Sequence, residues 1–262
     1  MQENDRFDFM VAISYDWKPI CSGILVHYYY IATAATPFKF HGFKSGNTGS
    51  KRLKCHVVRK YWNEQKENTI TRIEYQYEHY DKKAKWRGFD KSNKYGPVHD
   101  YALLASQDSI PYKADFDYWR HPFFIQLKYS RLVTIKSTGT FTICGHAFVD
   151  RTHIQQSIEL EAIDYSVESV LADCDEWVPR TWGHFICILN IEHFMGINSG
   201  AALLYNGVVI GIGSFSLARG NESILLFTDL RRYKKYYIKV AKAPTGEMWT
   251  VANSAMGSFS FF

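Results

Sequence analysis

The sequence predicts an all-β fold, on three observations. Short runs of β-branched and aromatic residues recur along most of the chain, separated by turn formers. Hydrophobic residues make up 46% and aromatics 16% of the 262 residues, with 18 Tyr and 18 Phe, an enrichment that favours strands over helical bundles. Helical periodicity is confined to one segment near the C-terminus. About a dozen short strands with little helix imply barrels or a sandwich, and a chain of this length fits one large β domain or two small ones.

Taken in order, residues 9–14 (FMVAIS), 21–26 (CSGILV) and 29–35 (YYIATAA) open the series of expected strands. Further runs lie at 53–58, 69–77, 101–105, 140–148, 158–165, 185–189, 201–204, 208–215 and 223–227. Residues 229–240 differ: Leu230, Tyr233, Tyr237 and Val240 fall at helical spacing with basic residues opposite, which predicts an amphipathic helix. Two segments read as loops. Residues 63–99 are rich in charge and carry the insertion KKAKWRGFDKSNKYGPVH, and residues 106–122 hold two prolines between the halves of the chain. No internal repeat is evident.

Composition excludes several functions. The net charge of +5 comes from 31 basic and 26 acidic residues, a small excess of one sign that is no nucleic-acid signature. Basic residues do gather at Lys82, Lys83, Lys85, Arg87, Lys91 and Lys94, and at Arg231, Arg232, Lys234, Lys235 and Lys239; both groups read as solvated surface. No apolar run is long enough to span a membrane, and the polar start of the chain lacks a signal-peptide pattern. That start suits a cytosolic protein, or a secreted one without its leader. Five cysteines is an odd count, so at least one thiol is free or paired with another chain. The ten histidines include no HExxH or regular ligand pair, so neither a metal nor another cofactor is expected.

Three landmarks carry a family resemblance. Cys21-Ser22-Gly23-Ile24-Leu25, with Ile31-Ala32-Thr33-Ala34-Ala35-Thr36-Pro37 after it, resembles CGGSLI … VLTAAHC of trypsin-like serine proteases. His99-Asp100-Tyr101-Ala102-Leu103-Leu104 resembles their NDIALL. The segment GINSGAAL, from Gly196 to Leu203, and NGVVIGIGSF, from Asn206 to Phe215, resemble GDSGGPLV … NGVLVGIVSWG. The resemblance spans residues 9–240 and implies two antiparallel six-stranded β-barrels with a cleft between them and a C-terminal helix. The trypsin-like domain would occupy 1–242, with barrel one at about 9–105, a linker at 106–122, barrel two at about 123–228 and the helix at 229–240; 243–262 would form an extension.

The same resemblance implies a dismantled site. In the family serine attacks, histidine takes its proton and aspartate orients the histidine. Ser199 and Asp100 stand at two of these positions, but Thr36 stands at the third, and its hydroxyl is no useful base near neutral pH. The oxyanion position that the family fills with glycine is Ile197, whose branched Cβ resists positive φ. Asn198 replaces the aspartate that pairs with the N-terminal ammonium of activated members, and a neutral amide compensates a buried charge poorly. His27, His41 and His56 are the imidazoles of barrel one that a rearranged cleft would have to bring to Ser199.

The remaining positions follow from the family pattern. Cys21 has lost its bridge partner to Pro37, and Met195 replaces a cysteine beside the nucleophile. Cys174 and Cys187 match a family disulfide; Cys55 and Cys144 read as buried small hydrophobes. His193, Ser214 and Phe215 occupy specificity-pocket positions. Asn221-Glu222-Ser223 is a glycosylation sequon. In the extension, Met248, Trp249, Val251, Met256, Phe259, Phe261 and Phe262 are candidate interface anchors.

The expected function is therefore that of an inactive protease homologue binding another protein as adaptor, decoy or regulator. The alternatives are a weak hydrolase using Ser199 with an unconventional base, and an inert component of an assembly. Family resemblance favours secretion, whereas the absent leader pattern and missing bridges leave an intracellular location open. Partner and oligomeric state are not legible.

Overall fold

The computed structural model of the chain describes residues 7, 9–16, 18–27, 29–44, 46–47, 53–56, 67–75, 100–107, 133–148, 158–191 and 199–232. The first half contains β1 (Met10–Tyr15), β2 (Lys18–His27), β3 (Tyr30–Thr33), α1 (Thr36–Phe40), β4 (Gly46–Asn47), β5 (Leu53–His56), β6 (Glu67–Tyr75) and β7 (Ala102–Ser106). The second contains β8 (Thr140–Phe148), β9 (Ile158–Ser166), α2 (Val167–Val170), β10 (Leu171–Ala172), β11 (Phe185–Leu189), β12 (Ala202–Tyr205), β13 (Val208–Arg219) and β14 (Glu222–Asp229).

The first sheet runs β4-β6-β5-β1-β2-β3-β7, and β7 pairs again with β6, so six strands close a barrel with β4 on its edge. The second runs β10-β11-β14-β13-β12-β8-β9 and forms a half-barrel among the described residues. The fold is all-β, as the runs predict. Residues 63–99 are not wholly loop, because β6 lies within them and supplies the strand that closes the barrel. Helical backbone begins at residue 230, and the predicted helix beyond residue 232 lies outside the described residues, as does the 243–262 extension.

Strands legible as continuous apolar runs are those buried on both faces. In β2, Leu25 faces the interior of the first barrel while Ile24 and Val26 face the other half; in β7, Leu104 faces inward and Leu103 outward. The outward residues meet Cys144, Ala202, Leu204, Val209 and Ile212 of the second half in one shared cluster. The two sheets are therefore joined by an apolar core, not by a hydrated seam. Cys21, Cys55 and Cys144 are buried in these clusters and form no disulfide.

On the outer side of the second sheet, Cys174 and Cys187 form a disulfide that fastens the turn after β10 to β11. Arg219 reinforces it, stacking over Trp177 at 5.0 Å and donating to the carbonyls of Glu176 at 2.7 Å and Trp177 at 3.0 Å. Arg231, assigned to solvated surface by its sequence neighbours, is instead structural: it grips the Asp229 carboxylate from Nε at 2.7 Å and the Val133 carbonyl from Nη1 at 2.9 Å.

The bridge closes a loop of 13 positions. Converting both cysteines to alanine is expected to lower the unfolding free energy by about 3 kcal/mol. Urea midpoints of the two proteins measure this, and equal midpoints would place the stability of the turn in its aromatic packing alone.

Candidate functional site

The site assembles where both halves meet, around the carboxylate of Asp100. Asp100 lies just before β7 and is buried to 2% exposure. Its Oδ1 accepts the backbone N–H of Ala35 at 2.8 Å and of Thr36 at 2.7 Å. Those amides open α1, whose N-cap residue, Ala35, has no side chain able to satisfy them. The short helix starts there because Pro37 suits a first turn and because a carboxylate 64 positions away caps it. Sequence periodicity alone placed residues 29–35 in a strand and missed this helix.

The other carboxylate oxygen, Oδ2, accepts the hydroxyl of Ser214. Ser214 reaches it because β13 carries a bulge: Gly213 pairs with Phe227 and Phe215 with Leu226, leaving Ser214 as the extra residue. A bulge re-aims a side chain that a regular ladder would point elsewhere. The Asp100 carbonyl is held as well, accepting the Thr228 hydroxyl of β14 at 2.8 Å. Burial pushes the Asp100 carboxyl above its ordinary range, while hydrogen bonds from Ser214 and from the backbone and side chain of Thr36, with the charge of Lys39, act in the opposite sense.

Ser199 stands beside this hub but is not connected to a base. Its hydroxyl donates to the Ser214 carbonyl at 3.2 Å, and among the described residues no imidazole reaches it. Its own carbonyl accepts the Ser22 N–H from β2 at 2.8 Å. Gly200 makes that approach possible: its φ is +86°, and a Cβ built there would lie 1.8 Å from the Ser22 carbonyl oxygen and 2.6 Å from the Thr33 hydroxyl. Thr33 in turn donates to that same Ser22 carbonyl at 2.7 Å.

A second polar contact crosses between the sheets. Ser22 Oγ accepts the His146 backbone N–H at 3.0 Å and lies 3.3 Å from Nδ1 of the same ring. The fully buried imidazole is kept neutral, its pKa lowered by desolvation to about 4. With the ring proton on Nε2, Nδ1 accepts a hydrogen bond from the Ser22 hydroxyl; a protonated Nδ1 has no lone pair to do so. Neither His146 nor Ser22 was singled out from sequence, since nothing local marks a contact 124 positions apart.

Thr36, Asp100 and Ser199 are thus brought together, joined by Ser214, whose resemblance-based place was in a pocket. Ser214 is buried, and Phe215 packs on Phe185 at 5.6 Å between centroids and on Trp182 at 6.1 Å. Beyond the bulge the β13–β14 ladder continues from Phe215↔Leu226 to Arg219↔Glu222. His41 is exposed with its ring against Tyr15 and Phe40. The side chains of His27 and His56, and His193, Met195, Ile197, Asn198, Trp249, Phe259, Phe261 and Phe262, lie outside the described residues.

Cys21 supplies no alternative nucleophile. Burial pushes its thiol far up, against a Thr33 hydrogen bond, so it stays protonated. Among the described residues no group of His, Cys, Asp and Glu is placed to hold a metal ion, and no helix is long and apolar enough to cross a membrane.

The family model described as Trypsin matches residues 1–236. Human heparin binding protein is similar in structure at 17% identity and a TM-score of 0.59, over 93% of this chain and 95% of that one. Neuropsin, a serine protease expressed in the limbic system of mouse brain, gives 17% and 0.58 over 92% and 97%. A scabies mite inactivated protease paralogue gives 14% and 0.60 over 90% and 93%. At such identities the likeness is one of fold. No curated protein matches the chain in sequence.

Two outcomes test this geometry. Asp100→Ala strands the amides of Ala35 and Thr36 and the Ser214 hydroxyl without their acceptor, and is expected to cost about 3 kcal/mol or more, whereas Ser199→Ala should cost under about 1 kcal/mol. Denaturant titration separates the two, and equal costs would remove Asp100 as the hub.

The second concerns acid. Below the ordinary histidine pKa of 6.5 the unfolded chain binds a proton that folded His146 refuses until about pH 4, so stability falls as pH drops through that window. The loss approaches about 1.4 kcal/mol per pH unit, roughly 3 kcal/mol in all. Asp100 acts in the opposite sense, its raised folded pKa adding stability as pH falls through it. His146→Gln therefore flattens the acid limb relative to the parent protein. Parallel acid limbs would exclude His146 as the titrating group.

Proposed function

The chain belongs to the trypsin family, and from that membership together with threonine at residue 36 we propose that it is a catalytically inactive member acting by binding another protein, as adaptor, decoy or regulator. One observation carries the proposal. The Ser199 hydroxyl donates to a backbone carbonyl, and the residue whose N–H is held by the Asp100 carboxylate, at the position where the family places its base, is a threonine. A carbonyl oxygen cannot remove a proton from serine, so the hydroxyl remains a weak nucleophile. In serine proteases, loss of the histidine alone lowers turnover on the order of a millionfold.

Further support comes from Ile197 and Asn198 at the oxyanion and activation positions, and from the β13–β14 ladder, which stays paired past the pocket candidates Ser214 and Phe215. The fold is compatible with such a state, since the similar scabies mite protein is itself described as inactivated. Binding would fall to segments that extend beyond the shared barrels: the insertion within residues 63–99 and the aromatic extension at 243–262, with Trp249, Phe259, Phe261 and Phe262 as anchors. Another protein is the expected partner. Neither nucleic acid nor a cofactor is.

A fluorophosphonate probe tests the inactive state. The expected result is no labelling of Ser199 at concentrations that saturate an active serine protease. Thr36→His, which places an imidazole beside Asp100, should raise labelling while peptide cleavage stays undetectable because the ladder remains paired. Labelling of the unmodified chain that disappears in Ser199→Ala would establish the weak hydrolase instead. For the binding surface, removal of 243–262 should reduce recovery of partner proteins in affinity purification from native tissue, and unchanged recovery would eliminate the extension.

A further inference from the structure

The β13–β14 hairpin carries a feature that the proposed function does not use. β13 ends at Arg219 and β14 begins at Glu222, and these two residues pair directly, so the connection is Gly220-Asn221 alone. Gly220 has φ of +60°, as the first residue of a tight type II′ turn requires. Asn221 and Glu222 are exposed, and Ser223 is half-buried opposite Ala218. A Cβ built on Gly220 would meet nothing within 4 Å, so the space around the tip is open.

Asn221-Glu222-Ser223 is the one N-x-Ser/Thr triplet in the 262 residues, and it falls at this tip. We propose that Asn221 is a site of N-linked glycosylation. In the transfer, the bond from sugar C1 to the diphosphate of a lipid-linked oligosaccharide breaks, and C1 joins Asn221 Nδ2. One amide proton leaves, and the lipid diphosphate departs as its anion. The hydroxyl at the third sequon position is read by the transferase on the unfolded chain, so the later half-burial of Ser223 is no obstacle. After folding only the Asn221 side chain has to project into solvent, and a two-residue turn at the end of a hairpin places it there.

An independent feature is compatible with a compartment where this transfer occurs. The Cys174–Cys187 disulfide forms under oxidising conditions, while Cys21, Cys55 and Cys144 are buried away from mispairing. The tip of the same hairpin is fixed beside that bridge, because Arg219, next to the turn, holds the carbonyls of Glu176 and Trp177. A glycan on Asn221 therefore shields the face bearing this turn, and a protein partner docks elsewhere. The site does not depend on whether Ser199 is reactive.

The test uses the full chain purified from its native source. Peptide N-glycosidase F should increase its electrophoretic mobility and convert Asn221 to Asp, read by mass spectrometry of the peptide that spans β13 and β14. In cells that secrete the recombinant chain, Asn221→Gln and Ser223→Ala should each abolish the mobility change, while Ser223→Thr, which preserves the sequon, retains it. Retention in Ser223→Thr shows that loss in the other two is not a folding defect. An Asn221 peptide without glycan in native protein overturns the proposal. So does a native chain recovered with Cys174 and Cys187 reduced.

Discussion

The Asp100 carboxylate is the group on which the arrangement of both halves depends. It caps α1 in the first barrel, receives Ser214 from the bulge in β13, and its own carbonyl is gripped by Thr228 of β14. Each contact satisfies a polar group that would otherwise be buried without compensation. An aspartate that orients a catalytic histidine in active relatives is, in this chain, a structural staple between the two sheets. Its presence is explained without any proton transfer. On the proposed inactive reading, the aspartate is retained because the N–H groups around it need an acceptor.

Much of the fold was legible because burial on two faces writes long apolar runs into the sequence. Strands β2, β3, β7, β12 and the first part of β13 carry such runs, with alternate side chains feeding the barrel interior and the shared core. Where burial falls away, so does legibility. The predicted strand at 208–215 extends in fact to Arg219, through Ser216, Leu217 and Ala218, where exposed and half-buried residues carry no apolar pattern. The helix α1 was hidden for a different reason, since its five residues are stabilised by a carboxylate distant in sequence. Thr36, Asp100 and Ser199 were legible only as positions in a pattern. The Ser214 bulge, the Thr228 contact and the Ser22–His146 pair have no local signature at all.

Electrostatics in the site point the same way as its connectivity. An active nucleophile requires a group that gains a proton near neutral pH, and the buried groups gathered here do not provide one. His146 is neutral and faces Ser22, and Cys21 is held as a thiol by burial. Ser199 gives its proton to a carbonyl that can only accept. The Ser199 and Ser214 hydroxyls of this network are both engaged as donors, to a carbonyl and to the Asp100 carboxylate.

On the proposed inactive reading, restoring a histidine would leave the backbone pairing of β13 and β14 as it is. The pocket candidates Ser214 and Phe215 lie on β13, whose pairing with β14 continues beyond them. Here Ser216, Leu217 and Ala218 of β13 pair with Leu225, Ile224 and Ser223 of β14, and Phe215 turns inward onto Phe185 and Trp182. Opening that ladder would break hydrogen bonds of about 1 kcal/mol each and expose aromatic surface worth about 25 cal/mol per Å². Binding of one substrate side chain returns at most a few kcal/mol, about the benefit of burying a single large apolar group. On that reading the missing base and the paired ladder are separate features, and a change in one leaves the other in place.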